Sequence, residues 1–168
     1  MQIALGKKGD YSVRAMLALA RAYGDGRRKA RHIARVMDIP VRYLPQVMAP
    51  LVKAGLVRAT AGPDGGYELT REPGDITLLE VVEAAEGSIS GDRCLLEGGP
   101  CDWAHVCPVH DAWARAHATL AGELQRTTFA ELAQNDLLIE EGKFPVPRQP
   151  AHPRPVERRG QRGPVGPG

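Results

Sequence analysis

The sequence predicts a mainly α chain with a small β-hairpin wing: a winged helix-turn-helix followed by a long C-terminal helix. Three observations predict it. Apolar residues recur at helical spacing in three segments between Tyr11 and Ala54. The run Gly62-Pro63-Asp64-Gly65-Gly66 then separates two short strand-like stretches, and Asp-Gly with adjacent glycines is a strong hairpin signal. Finally, Val109, Trp113, Ala116, Leu120 and Leu124 form one apolar stripe in a segment opened by Pro108.

The first helix is expected from Tyr11 to about Ala22, with Val13, Met16, Leu17 and Ala20 on one face and Asp10 as its N-cap. Gly24 and Gly26 end it. A second covers about Ala30–Met37, with Ile33, Val36 and Met37 apolar. Asp38-Ile39-Pro40 makes the turn. The third runs from about Val41 to Ala54, because Val41, Leu44, Val47, Met48, Leu51 and Val52 repeat at three and four residues. Pro45 and Pro50 fall within it, so a kink or a late start is expected. Gly55 suits the left-handed residue after a helix, with Leu56 packing back on Leu51. Strands follow at Leu56–Ala61 and Tyr67–Thr70. Thr77-Leu78-Leu79-Glu80 reads as a capping box opening a fourth helix to about Glu86. Pro108 stands at the first position of the long helix. Thr128-Phe129-Ala130-Glu131 opens a short final one.

Length and composition bound the function. One domain with an added element is expected from 168 residues. No run approaches ~18 consecutive apolar residues, which excludes a transmembrane helix. The N-terminus has no signal-peptide pattern, so a cytoplasmic protein is expected. Three Cys do not make a secreted disulfide framework. The net charge of +2 conceals a division. Residues 1–72 hold 13 Lys+Arg against 6 Asp+Glu, residues 73–142 hold 3 against 13, and residues 143–168 hold 6 against 1. The basic first part suits a polyanion partner, and the acidic middle a separate task. The Pro-, Gly- and Arg-rich tail, 143–168, has too little apolar surface to offset chain entropy and is expected to be disordered.

Two groups of residues carry chemistry. In a helix-turn-helix the second helix enters the major groove. Arg42, Tyr43 and Gln46 stand at its start; Arg pairs with guanine, Gln with adenine, and Tyr reaches phosphate. Arg27, Arg28, Lys29, Arg31 and Arg35 are placed for phosphates, and Gly62, Gly65 and Gly66 let the wing backbone approach DNA. The bland alternative is a winged helix that docks protein. The second group is Cys94, Cys101 and Cys107, spaced six and five residues apart in a glycine-rich stretch. Without a Cys-x2-Cys pair, a zinc knuckle is disfavoured. Three thiolates suit an iron–sulfur cluster with one non-cysteine ligand; scattered buried cysteines or a thiol switch are the alternatives. An enzyme or electron carrier is not expected, as there is no nucleotide loop and no nucleophile–base pattern.

These stretches together resemble the IscR/NsrR-type (Rrf-two) family of iron–sulfur winged-helix regulators. The matching pieces are Lys8-Gly9-Asp10-Tyr11-Ser12-Val13-Arg14-Ala15, Ile39-Pro40-Val41-Arg42-Tyr43-Leu44, Ala54-Gly55-Leu56-Val57, Gly62–Leu69, Glu86-Gly87, and the three-Cys stretch running into Cys107-Pro108-Val109-His110-Asp111-Ala112-Trp113. They cover about residues 1–135. The resemblance implies a DNA-binding domain over 1–86, a cysteine-rich cluster-binding loop over 87–107, and a dimerisation helix with a short final helix over 108–135. It implies a homodimer on a double-stranded DNA operator, acting as a repressor. It also implies a 2Fe–2S or 4Fe–4S cluster on Cys94, Cys101 and Cys107 that senses nitric oxide, redox state or cluster status. The fourth ligand implied is Asp10 from the partner subunit or His110, with His105 a weaker candidate. A cluster-free thiol- or ligand-responsive regulator is the alternative. Two departures stand out. Members that control cluster assembly carry Glu where this chain has Pro45, so their site discrimination does not carry over. Many members carry Arg before the wing Gly-Pro; here it is Ala61, and Arg58 is the substitute.

Overall fold

The computed structural model describes residues 5–89 and 108–145. Cys94, Cys101, Cys107, His105 and the tail beyond residue 145 lie outside the described residues. Six helices and one hairpin occur in the described residues, in the order α1 (Lys7–Arg21), α2 (Ala30–Val36), α3 (Leu44–Lys53), β1 (Val57–Thr60), β2 (Gly66–Leu69), α4 (Leu78–Glu86), α5 (His110–Arg126) and α6 (Phe129–Glu140). This is the mainly helical winged helix-turn-helix that the sequence predicts.

The helix-turn-helix closes by local chemistry. Asp38 takes a left-handed backbone, φ +50°, which Asp tolerates better than most residues. That lets the Ile39 N–H reach the Ala34 carbonyl at 2.8 Å. Helix α3 starts late, at Leu44, with Pro45 in its first turn, where a missing N–H costs nothing. Pro50 alone remains inside. At the far end Gly55 has φ +73°, and the N–H groups of Gly55 and Leu56 bond the carbonyls of Val52 and Leu51 at 3.0 Å. That is the expected left-handed helix stop. Leu51 and Leu56 are both in the core.

The core gathers Met16, Ile33, Leu44, Val47, Met48, Leu51, Ile76, Val81 and Phe129, all fully buried. Helix α1 lies at its centre and touches α2, α3, α4, α6 and β2. The hairpin pairs Val57 with Leu69 and Thr60 with Gly66. Residues Arg28 and Tyr67 exchange two backbone bonds, 2.8 and 2.9 Å, tying the α2 entrance to the wing. A Cβ on Gly66 would stand 2.6 Å from the Arg28 carbonyl oxygen, so this close pairing requires glycine. The 3-10 turn Pro73–Asp75 leads to a bridge between Thr77 and Thr128, which holds the starts of α4 and α6 side by side.

Thr77 forms the full capping box, while Thr128, where the Thr-x-x-Glu pattern also predicts one, forms only the half made by its own hydroxyl. Thr77 Oγ1 accepts from the Glu80 N–H at 3.2 Å, while the Thr77 N–H donates to Glu80 Oε2 at 2.9 Å. Thr128 Oγ1 accepts from the Glu131 N–H at 3.3 Å. Partial burial pushes the Glu80 carboxyl up, but hydrogen bonds from Thr77 and Arg71 outweigh it and hold the group below its ordinary 4.5. Its contribution to stability is therefore present above that ordinary value and is lost as the pH falls through the depressed one. Thr77→Ala is expected to lower stability by about 1 kcal/mol in urea melts at neutral pH. Glu80→Ala is expected to flatten the acid loss.

Several expectations are corrected. Asp10 is not an N-cap: α1 begins four residues earlier than predicted, with Gly6 as its cap. Val41 and Val52, counted on the buried stripe of α3, are 51% and 37% exposed. Val36 is likewise exposed. Pro108 is not the first helical residue, since α5 begins at His110 behind Val109. Helix α6 runs to Glu140, past the expected end near 135, and stops before Gly142 at φ +68°; Arg21 of α1 pairs with its Asp136 at 2.8 Å and Glu140 at 2.7 Å.

Candidate functional site

The outward side of α3 is built by the turn before it as much as by the helix. Pro40 directs the chain outward, and its carbonyl accepts from Tyr43 and Leu44 at 2.8 and 3.2 Å. Residues 41–43 therefore already form a helical turn. Leu44, Val47, Met48 and Leu51 face the core, so Arg42 and Gln46 project outward and are exposed. Tyr43 is half-buried, with its ring edge-on to Tyr11 at 5.8 Å. This contact seats the start of α3 against α1.

Arg31 on α2 is exposed beside the wing. A shallow cavity there is lined by Lys29, Arg31, Ala59, Gly62, Gly65 and Gly66. Lys29 Nζ donates to the Pro63 carbonyl across its mouth. Among the described residues, no acidic side chain pairs with Arg31, Arg35 or Arg42. Arg58 differs. It lies in β1 opposite Glu68, and its Nη1 is 3.7 Å from Glu68 Oε1, which also meets Arg27 at 3.4 Å. Its side chain is 66% exposed, so the pair is weak and the guanidinium is free to exchange Glu68 for phosphate.

The candidate ligands that fall in the described residues are Asp10 and His110. Asp10 sits in the first turn of α1 and pairs with Arg14 at 2.9 Å, both side chains 44% exposed. His110 is exposed at the first turn of α5. Among the described residues no three His, Cys, Asp or Glu side chains converge on one point.

A residue without an assigned role in the sequence reading ties these parts together. Glu86, at the end of α4, accepts the Gly9 N–H at 2.7 Å. It thereby caps the free N–H groups of α1 from 77 residues away. A Cβ at Gly9 would come within 2.5 Å of that carboxylate oxygen. The contact joins the turn carrying Asp10 to the point where the chain leaves α4 toward the cysteines. Close by, Ile89 donates its N–H to Glu83 at 3.0 Å, and its carbonyl meets His117 Nδ1 at 3.2 Å. Trp113 packs against His117 with the rings tilted by 59° and their centres 4.6 Å apart. From Asp10 a second run of contacts leads away: Arg14 lies over the Tyr11 ring at 5.9 Å, and Tyr11 meets Tyr43 next to Arg42.

Helix α5 has no buried residue. Of its apolar stripe, Val109 and Leu120 are each 37% exposed. The stripe is therefore not part of this chain's core. No helix among the described residues is long and apolar enough to cross a membrane.

A family model described as Rrf2, iron-dependent transcriptional regulator, matches residues 5–135. The chain is 35% identical over 136 residues to the HTH-type transcriptional regulator IscR of Klebsiella pneumoniae subsp. pneumoniae, covering 81% of this chain and 83% of that one. Among solved structures it is similar to CymR, the global cysteine regulator of B. subtilis, with a TM-score of 0.69 and 30% identity over 79% of this chain and 98% of that one. It is also similar to T. potens IscR, with a TM-score of 0.66 and 29% identity over 81% and 90%.

Proposed function

The chain belongs to the Rrf2 family of DNA-binding transcriptional regulators, and from this premise we propose that it is a homodimeric repressor whose operator affinity is controlled by an iron–sulfur cluster. Cys94, Cys101 and Cys107 would hold the cluster, with Asp10 of the partner subunit or His110 as fourth ligand. The donor set suits it: three thiolates with one oxygen or nitrogen ligand is soft-ligand chemistry, and both candidates are exposed. When bound, such a cluster supplies a centre that reacts with nitric oxide and oxidants, with its non-cysteine ligand the most readily displaced.

The observation that carries this reading is the position of Asp10. It lies between Glu86, at the edge of the cysteine segment, and Arg14–Tyr11–Tyr43, at the edge of the recognition helix. A pull on the Asp10 turn is borne by the Gly9–Glu86 bond and by the ring contact that seats Tyr43. Arg42, one residue away, moves with it. The exposed stripe on α5 supports a dimer, since a second copy covers what this chain leaves open. DNA contact is assigned to Arg42, Gln46, Tyr43 and Arg31, to Arg58, and to the wing backbone at Gly62, Gly65 and Gly66. Arg42→Ala is expected to weaken operator binding about 5- to 150-fold, as loss of ~1–3 kcal/mol implies, and to relax preference at one guanine, measured by titration at fixed salt.

Purification without oxygen, followed by absorption, iron and sulfide analysis, tests the cluster. The expected protein is brown, carries about equal iron and sulfide, and bleaches with nitric oxide. A colourless protein that resists reconstitution yet binds DNA favours the second reading, a cluster-free thiol- or ligand-responsive regulator. The similarity to the global cysteine regulator supports that alternative.

A further inference from the structure

We propose that the chain selects its operator in part through thymine methyl groups, read by an apolar flank of α3. The proposal rests on the reading that α3 enters the major groove. Val41, Pro45, Ala49 and Val52 recur at helical spacing on one flank of the outward side, and all four are exposed. Val41, in the turn that leads into α3, is 51% exposed, and Val52 37%. Single exposed apolar residues are ordinary, but these four form a strip along one flank, at the edge of the face that buries Leu44, Val47, Met48 and Leu51. Arg42 and Gln46 run directly beside it.

The surroundings of the strip identify its occupant. Arg31, Arg35 and Arg42 have no acidic partner among the described residues, and the first 72 residues carry an excess of seven positive charges. An apolar strip set among free cations fits a surface that is anionic at its rims and locally apolar between them. The major groove is such a surface: phosphates border it, and the thymine 5-methyl is the apolar group on its base edges. Pro45 and Ala49 have no side-chain donor or acceptor, so neither reads a base by hydrogen bonding. Pro45 stands in the first turn of α3, where its ring needs no N–H and presents carbon outward. Gln46 next to it has the amide that pairs with adenine, and each adenine brings a thymine on the other strand. Arg42 then reads a guanine, and the strip reads methyls at adjacent A·T pairs.

The test uses the full chain, purified without oxygen. Its preferred duplex is selected from a random pool, and each thymine is then replaced singly by uracil, which removes the methyl alone. Uracil at one or two positions per half-site is expected to weaken binding about three- to fivefold each, the scale of one buried methyl. Pro45→Ser or Ala49→Ser is expected to keep binding the selected duplex, more weakly, and to lose that uracil sensitivity at its own position. A selected duplex whose uracil forms all bind as tightly overturns the methyl reading and leaves DNA binding intact. A pool that yields no preferred sequence overturns the DNA reading and this proposal together.

Discussion

Cys101→Ala protein, purified and reconstituted without oxygen, is expected to be colourless, with its visible absorption and bound sulfide lost. The effect is all-or-none because a cluster on three thiolates has no spare cysteine in this chain, whose sequence holds three. The two candidates for the fourth ligand are separated by the same measurement. Asp10→Ala removes a carboxylate whose pairing with Arg14 is exposed and contributes at most about 1 kcal/mol. His110→Ala removes an exposed ring at a helix start. Neither change unfolds the protein, so a spectrum shifted by one and untouched by the other identifies the ligand. A Cys101→Ala protein with an unchanged spectrum removes that cysteine from the ligand set.

Phe129→Ala is expected to cost about 3–5 kcal/mol, a large share of the ~5–15 kcal/mol that holds a domain together. Phe129 is fully buried and is the largest of the fully buried side chains. Its N–H bonds the Ile76 carbonyl at 2.9 Å, so the ring enters the core beside the bridge joining α4 and α6. Its removal leaves a cavity in the apolar core cluster that also holds Ile76 and Val81. Urea midpoints that fall by less than a third as much as this cost implies would show that α6 packs elsewhere.

The elements written in local chemistry were legible in the sequence. Gly55, the two capping threonines and the Asp-Gly wing each act within a few residues, and each appears where predicted. The parts that were not legible depend on distant partners. Helix α1 begins at Lys7 because Glu86 caps it from the end of α4, and no local pattern links Gly9 to Glu86. Helix α6 is the exception: Gly142, at φ +68°, stops it by a local signal that the sequence reading passed over. Val41 and Val52 fit the apolar period of α3 as well as Leu44 and Leu51 do; periodicity does not distinguish the centre of a buried face from its edge. The α5 stripe fits a core and a partner equally in the sequence; the exposure of Val109 and Leu120 takes it out of this chain's core, and a second copy as its cover is the proposal made above. Of the candidate site, the outward exposure of Arg42 and Gln46 followed from motif order. The Asp10–Arg14–Tyr11–Tyr43 run did not, because it is made by tertiary packing between α1 and the turn before α3.

The central claim is that the state of the cysteine segment sets DNA affinity. It is tested most directly by titrating one anaerobic preparation against its selected operator at fixed salt, before and after nitric oxide treatment. The account predicts binding at least tenfold weaker after treatment, within the usual range of coupling between two sites, with non-specific DNA affinity unchanged. Equal operator affinity in the two states, in protein shown by iron and sulfide content to have carried the cluster and lost it, would contradict it.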